Sequence, residues 1–196
     1  MFRAGIGPKE IASTISQTYP SQVWRIQDIY NLRRQLKAEL LQGSSPTEAM
    51  LEKLYLSRYE YNYNLDENGK ITLLFFAHPK LLQLLQQYSK VLLMDCTYKT
   101  NRFNMLLLDI LGSTGLGKTF YVAFIFLSGE TEEDYHAGLK MLGDIIKRRE
   151  IESPKVIVTD QDLGLIKAVD TVFSNTANLL CLWHINKNVL SYGRQH

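Results

Sequence analysis

Only two of the 196 residues are cysteine, Cys96 and Cys181, too few for a disulfide framework and suited to a reducing compartment. No stretch approaches the roughly 18 consecutive apolar residues of a membrane span, and the opening MFRAGIGPKE lacks the long apolar core of a secretory leader. With five prolines and twelve glycines, the chain reads as folded and soluble rather than as a linker. Neither sign of charge dominates: 22 Lys and Arg against 20 Asp and Glu leave a net +2, which argues neither for nor against nucleic acid. The small excess sits early, with seven basic and five acidic residues in 1–57 and fifteen of each in the remainder. What is present is enough chain for one sizeable core with a small appended module, since domains run to roughly 100–200 residues.

One motif invites a nucleotide reading. GSTGLGKT, residues 112–119, fits the phosphate-cradle pattern with Gly112, Gly117, Lys118 and Thr119 in place. That pattern works when its glycines open a helix whose first N–H groups point at the phosphates. Here the next residues, FYVAFIFL, form an aromatic and aliphatic run about eight long, which reads as a buried strand. A strand on either side makes the octet a hairpin loop with a solvated lysine, and a P-loop nucleotide hydrolase becomes the lesser alternative.

Residues 1–57 read as an all-helical segment. Pro8 suits a first helical turn, with Ile11 and Ile15 on one face before the break at Tyr19-Pro20-Ser21. A second helix is expected from Trp24 to Leu41, carrying Ile26, Ile29, Tyr30, Arg33, Leu36 and Leu40 at helical spacing and stopped by Gly43. Ser45, Pro46 and Glu48 form the start signal of a third, with Met50, Leu51, Leu54 and Tyr55 behind it. The three form either a helix-turn-helix-like unit or a helical adaptor that packs on the main domain.

From Tyr59 the period becomes two. Tyr59, Tyr61 and Tyr63 alternate with polar residues, and Asp66-Glu67-Asn68-Gly69 turns the chain into Ile71–Ala77, a hairpin. After a short helix, 79–88, the pattern gives strands at 91–96, 105–111 and 120–127, a helix at 131–149, a strand at 155–159, a helix at 162–173, a strand at 178–182 and a last helix from about Asn186. Short loops make the first three core strands an antiparallel meander, and helical crossovers make the last two parallel. With the fourth strand beside the first, the expected order is 3-2-1-4-5. Asp95 then ends the first strand and Asp160 the fourth, at adjacent carboxyl ends about 4.8 Å apart, where sites in open α/β sheets form. An aspartate straight after VLLM or VIVT needs a partner, and a shared divalent cation is the one favoured, with a helix cap as the plain reading of Asp160.

These stretches carry a resemblance. LLMDCTYKTNRFNMLLLDILG, VIVTDQDLGLIKAV and CLWHINKNV, in that order, resemble the Mutator-like element (MULE) transposase domain, a DDE transposase with an RNase H-like fold. The likeness covers residues 58–196, and the helical segment before it is similar to the region that precedes this domain in such proteins. It implies DNA cleavage and strand transfer by two-metal catalysis with Mg²⁺ or Mn²⁺, DNA as partner, a homo-oligomer as a further association, and a nuclear location in a eukaryote. Asp95 and Asp160 match the family's first and second catalytic aspartates, and Cys181 and His184 its Cys-x-x-His element. For that last pair a buried strand cysteine with a helix-capping histidine stands beside a histidine near the scissile phosphate. Zinc is not expected, because two ligands are half of a tetrahedral set.

The chain departs from the family at its third acid, which follows the Cys-x-x-His element on a later helix. None of the twelve residues after His184 is Asp or Glu, and Asp170 is the last carboxylate. Asp162 and Asp109 are poor substitutes on the expected topology, one at a helix start and the other within the second strand, away from the metal-binding end. The expectation is therefore a transposase domain truncated at its C-terminus and inactive alone, with a non-catalytic DNA-binding or interaction protein of transposase descent as the alternative.

Overall fold

The computed structural model describes residues 7–20, 25–41, 43, 45–98, 101 and 103–192. The chain divides into two compact units, residues 1–53 and 54–196. In the first, α1 (Pro8–Thr18) and α2 (Ile26–Leu41) pack on each other, and Ile11 and Ile29 are buried. Proline occupies the first turn of α1, where its missing N–H costs nothing. The expected helix start at Trp24 and the break residue Ser21 lie outside the described residues. Helix α3 (Pro46–Leu56) begins as its start signal requires. Glu48 N–H donates to Ser45 Oγ at 3.2 Å, and Ser45 N–H donates back to Glu48 Oε2 at 2.7 Å. That backbone bond holds the Glu48 carboxyl below its usual range.

The second unit is one mixed sheet with flanking helices. Its first hairpin joins β1 (Glu60–Leu65) to β2 (Ile71–Ala77). Asp66 Oδ1 accepts the N–H groups of Asn68 and Lys70 at 2.9 and 2.8 Å, and Gly69 supplies the positive φ of 73°. Helix α4 (Pro79–Gln87) leads into β3 (Val91–Thr97), β4 (Leu106–Ser113) and β5 (Thr119–Leu127). Helix α5 (Glu132–Arg148), β6 (Val156–Thr159), α6 (Leu163–Val172), β7 (Ala177–Leu180) and α7 (Leu182–Tyr192) complete it.

The sheet order is β1-β2-β5-β4-β3-β6-β7. The five-strand order expected from the sequence is therefore not the order of the sheet. β3, β4, β5, β6 and β7 do follow one another as β5-β4-β3-β6-β7, but the first hairpin joins the same sheet through β2, antiparallel to β5 from Leu73↔Leu127 to Phe76↔Phe124. Adding a hairpin covers a β5 edge that would otherwise expose unpaired backbone groups.

β4 alternates buried and half-buried residues without a break, and its buried set, Leu106, Leu108 and Ile110, joins Leu92 and Met94 of β3 and Ile125 and Leu127 of β5. Onto this face pack Leu82 and Leu85 of α4, Tyr135, Leu139 and Leu142 of α5, and Leu165 and Val169 of α6. Gly138 on α5 permits the close approach, since a Cβ there would meet Ile125 at 2.9 Å.

The glycine-rich octet is a turn. Ser113 pairs with Thr119 across antiparallel β4 and β5, Thr114 N–H donates to the Lys118 carbonyl at 2.8 Å, and Gly117 has φ +70°. Phe120 continues a strand rather than opening a helix, so the first N–H groups of a helix are not available to phosphate. The nucleotide-hydrolase alternative falls on that point.

Candidate active site

β3 and β6 run parallel, paired from Val91↔Val156 to Leu93↔Val158. Asp95 and Asp160 each lie two residues beyond that last pair, so the two candidate aspartates occupy the same end of neighbouring strands. Asp95 is half exposed at 51 %. Asp160 is half-buried, and desolvation pushes its carboxyl above the usual range. The Asp162 N–H, donating to Asp160 Oδ1 at 3.2 Å, opposes that shift; the charges of Asp162 and Asp95 reinforce it and His184 opposes it. These mutual effects place Asp95, Asp160 and His184 in one electrostatic neighbourhood.

His184 is carried by a different element than expected. α7 starts at Leu182, four residues before the expected Asn186, so His184 lies in the first turn of a helix instead of capping it. The mixed run LWHIN gives no start signal of the kind Ser45 gives α3. From that turn His184 Nε2 reaches Asp95 Oδ1 at 3.5 Å, while its Nδ1 is buried with no hydrogen-bond partner. The ring packs edge-on against Trp183 at 4.7 Å between centroids, and Lys187 lies over the indole at 4.9 Å. Cys181 follows β7, which ends at Leu180, so it is not on the strand as expected. It is a half-buried free thiol whose N–H donates to the Thr159 carbonyl at 2.7 Å. The structure thus unites three of the four expected site residues and gives the fourth a backbone link to β6.

Asp109 requires a correction. On β4 it sits directly opposite Asp95, as the Cα partner in the antiparallel register, and is not remote from the candidate site. Burial and then the Asp95 charge push its carboxyl up, and its Oδ1 is buried without a partner. Like charges facing each other across a strand pair are destabilising.

Beneath these carboxylates lies a buried polar chain that sequence reading missed. Tyr135 on α5 is fully buried, and its hydroxyl donates to Asp162 Oδ2 at 3.1 Å and lies 3.6 Å from Cys96 Sγ. Burial pushes the Cys96 thiol up to about 12 and the Tyr135 phenol still higher, so both stay protonated. A signal was available: Tyr135 falls in the same helical stripe as Leu139 and Leu142, and a tyrosine in an apolar stripe needs a partner for its hydroxyl.

Asp95 and Asp160 suit a Mg²⁺ or Mn²⁺ ion of the kind held by one or two carboxylates together with substrate phosphate and water. Among the described residues no group of three His, Cys, Asp or Glu side chains is gathered closely enough to hold a metal ion alone. A groove of about 580 Å³, lined among others by His136, Lys140, Asp144 and Lys147, contains none of the candidate residues.

Comparison with known proteins places the chain in a family. Over 193 residues the chain is 28 % identical to "PKS-NRPS hybrid synthetase cheA" of Chaetomium globosum, a match covering 95 % of this chain and 4 % of that protein. It is 30 % identical over 139 residues to "Protein FAR1-RELATED SEQUENCE 6" of Arabidopsis thaliana, 70 % of this chain and 19 % of the relative. To "Protein FAR1-RELATED SEQUENCE 5" of the same plant it is 24 % identical over 194 residues, 94 % of this chain and 24 % of the relative. The chain therefore spans a quarter or less of these relatives. Residues 91–188, half of the 196, match the family described as "MULE transposase domain", and that stretch holds β3 to β7 with Asp95, Asp160, Cys181 and His184. The chain belongs to the MULE transposase domain family.

Proposed function

We propose that the second unit is an RNase H-like DDE transposase domain acting on DNA, with Asp95 and Asp160 as its two cation-holding aspartates. The observation that carries this reading is the parallel β3–β6 register, which brings both aspartates to one strand end beside His184. When bound there, a divalent cation supplies charge neutralisation at the scissile phosphate and activation of water or a 3′-hydroxyl. The chain's own groups do the placing: Asp162 N–H orients Asp160 Oδ1, and His184 Nε2 lies against Asp95 Oδ1. His184 is then close to the phosphate and is the candidate for holding a proton or donating a hydrogen bond there. The partner is DNA, and nuclear action follows in a eukaryote. Among the described residues no helix is long and apolar enough to cross a membrane.

Two carboxylates hold one cation weakly, and among the described residues no third His, Cys, Asp or Glu is gathered with them closely enough to complete a site. This chain alone is therefore expected to bind Mg²⁺ or Mn²⁺ without cutting DNA. The test is a strand-cleavage and strand-transfer assay with Mn²⁺ on this chain, its Asp95→Ala form, and a form extended by a family-like C-terminal segment. Cleavage after extension, lost with Asp95→Ala, supports the reading; an extended form that neither cuts nor joins counts against it.

That no third ligand is gathered with the two aspartates among the described residues also favours a second reading, a non-catalytic DNA-binding or interaction protein of transposase descent. In it the first unit is either a helix-turn-helix-like reader or an adaptor. DNA affinity that falls steeply with salt and survives Asp95→Ala supports that reading.

A further inference from the structure

We propose that Tyr135 and the Asp162 side chain form a positioning bracket for Asp160, an inference that rests on Asp160 being a cation-holding residue. Asp162 divides its functions among three atoms. Its Oδ1 accepts the Leu165 N–H at 2.9 Å and caps α6; its Oδ2 accepts the Tyr135 hydroxyl at 3.1 Å; its backbone N–H donates to Asp160 Oδ1 at 3.2 Å. Capping needs only the first of these. The second oxygen is occupied by a hydroxyl carried on a fully buried ring, where phenylalanine would fill the same space without a polar atom to satisfy.

The hydroxyl therefore does something packing does not. It fixes the Asp162 carboxylate to α5, the most extensive helix of the core face, and so fixes the turn from Asp160 to Asp162 whose N–H aims the Asp160 carboxylate. On its other side the same hydroxyl lies 3.6 Å from Cys96 Sγ, the residue after Asp95 on β3. One buried oxygen thereby touches Cys96, the residue after Asp95, and Asp162, two residues after Asp160, and a cation held by both aspartates needs their oxygens set in advance. Tyr135 and Asp162 are positioning residues: neither is asked to touch cation or DNA.

The experiment compares the full chain with Tyr135→Phe and with Asp162→Ser, which keeps a capping oxygen for Leu165 but has none for Tyr135. Thermal midpoint, hydrogen exchange of the Asp162 amide, and affinity for Mn²⁺ alone by electron paramagnetic resonance are measured on each. Both variants are expected to fold, with the Asp162 amide exchanging about three- to tenfold faster and Mn²⁺ binding weakened by a similar factor, the range of one lost hydrogen bond. Unchanged amide exchange in both variants overturns the bracket. So does unchanged Mn²⁺ affinity where the unsubstituted chain binds the ion. If the unsubstituted chain binds no Mn²⁺, the cation reading of Asp160 is what fails, and the amide exchange alone then decides whether the bracket stands.

Discussion

The β4–β5 turn and the β3–β6 strand ends both suggest phosphate chemistry from their residues, and only one has a geometry that supports it. The octet from Gly112 to Thr119 satisfies every position of a nucleotide-binding pattern, yet Gly112 lies in β4, Gly117 serves a turn, and its lysine carries no helix behind it. Asp95 and Asp160 match no contiguous pattern, being 65 positions apart, yet parallel pairing sets them side by side. A short motif takes its meaning from the element it opens, and a dispersed pair takes its meaning from topology.

The largest expected effect that sharpens this contrast lies in the ladder beside that turn. Gly112 faces Phe120 across the ladder, and a Cβ there would meet the ring at 2.4 Å. Gly112→Val is expected to destabilise the second unit by about 1–3 kcal/mol through overpacking, read by denaturant unfolding. A neutral result would mean the ring moves freely.

A smaller effect is expected at the other region. Replacing Asp109 by Asn removes a like charge directly opposite Asp95, and should stabilise the fold at neutral pH by about 0.2–1 kcal/mol. The sign follows from its carboxyl being raised in the folded state. Between the ordinary value of 3.8 and the raised one the folded chain binds more proton than the unfolded chain, so stability falls as pH rises through that window and levels off above it. Asp109→Asn should flatten that fall, as thermal midpoints across acidic pH will show. The smallest effect belongs to Lys118, where Lys118→Ala should change stability within about ±0.5 kcal/mol. ATP binding that disappears on that substitution would reverse the contrast.

How much was legible in the sequence follows the same division. The first hairpin, the β4–β5 turn and the α3 cap were readable because each is written in neighbouring residues: Asp66 and Gly69, Thr114 and Gly117, Ser45 and Glu48. The neighbours of β3 could be reasoned from connection lengths. Attachment of β2 to β5 could not, because no short loop joins them and strand edges carry no address. Asp109 opposite Asp95 was hidden for a related reason: the connection from Tyr98 to Met105, short enough to make β3 and β4 antiparallel, is not tight enough to set their register, and a slip of one residue reverses every side chain. The start of α7 was missed because Cys181 and Leu182 carry no cap or proline signal. Tyr135 was visible as a stripe residue but not as a partner of Asp162, a contact that only the packing of α5 against α6 creates.

The central claim is that Asp95 and Asp160 share one cation. Its most direct measurement is a Mn²⁺ titration, followed by electron paramagnetic resonance, of the chain and of its Asp95→Asn, Asp160→Asn and doubly substituted forms. If the two carboxylates hold one ion, each single substitution should weaken binding nearly as much as both together, a strong non-additivity between contacting groups. Additive losses, or binding that persists in the double variant, would contradict the account.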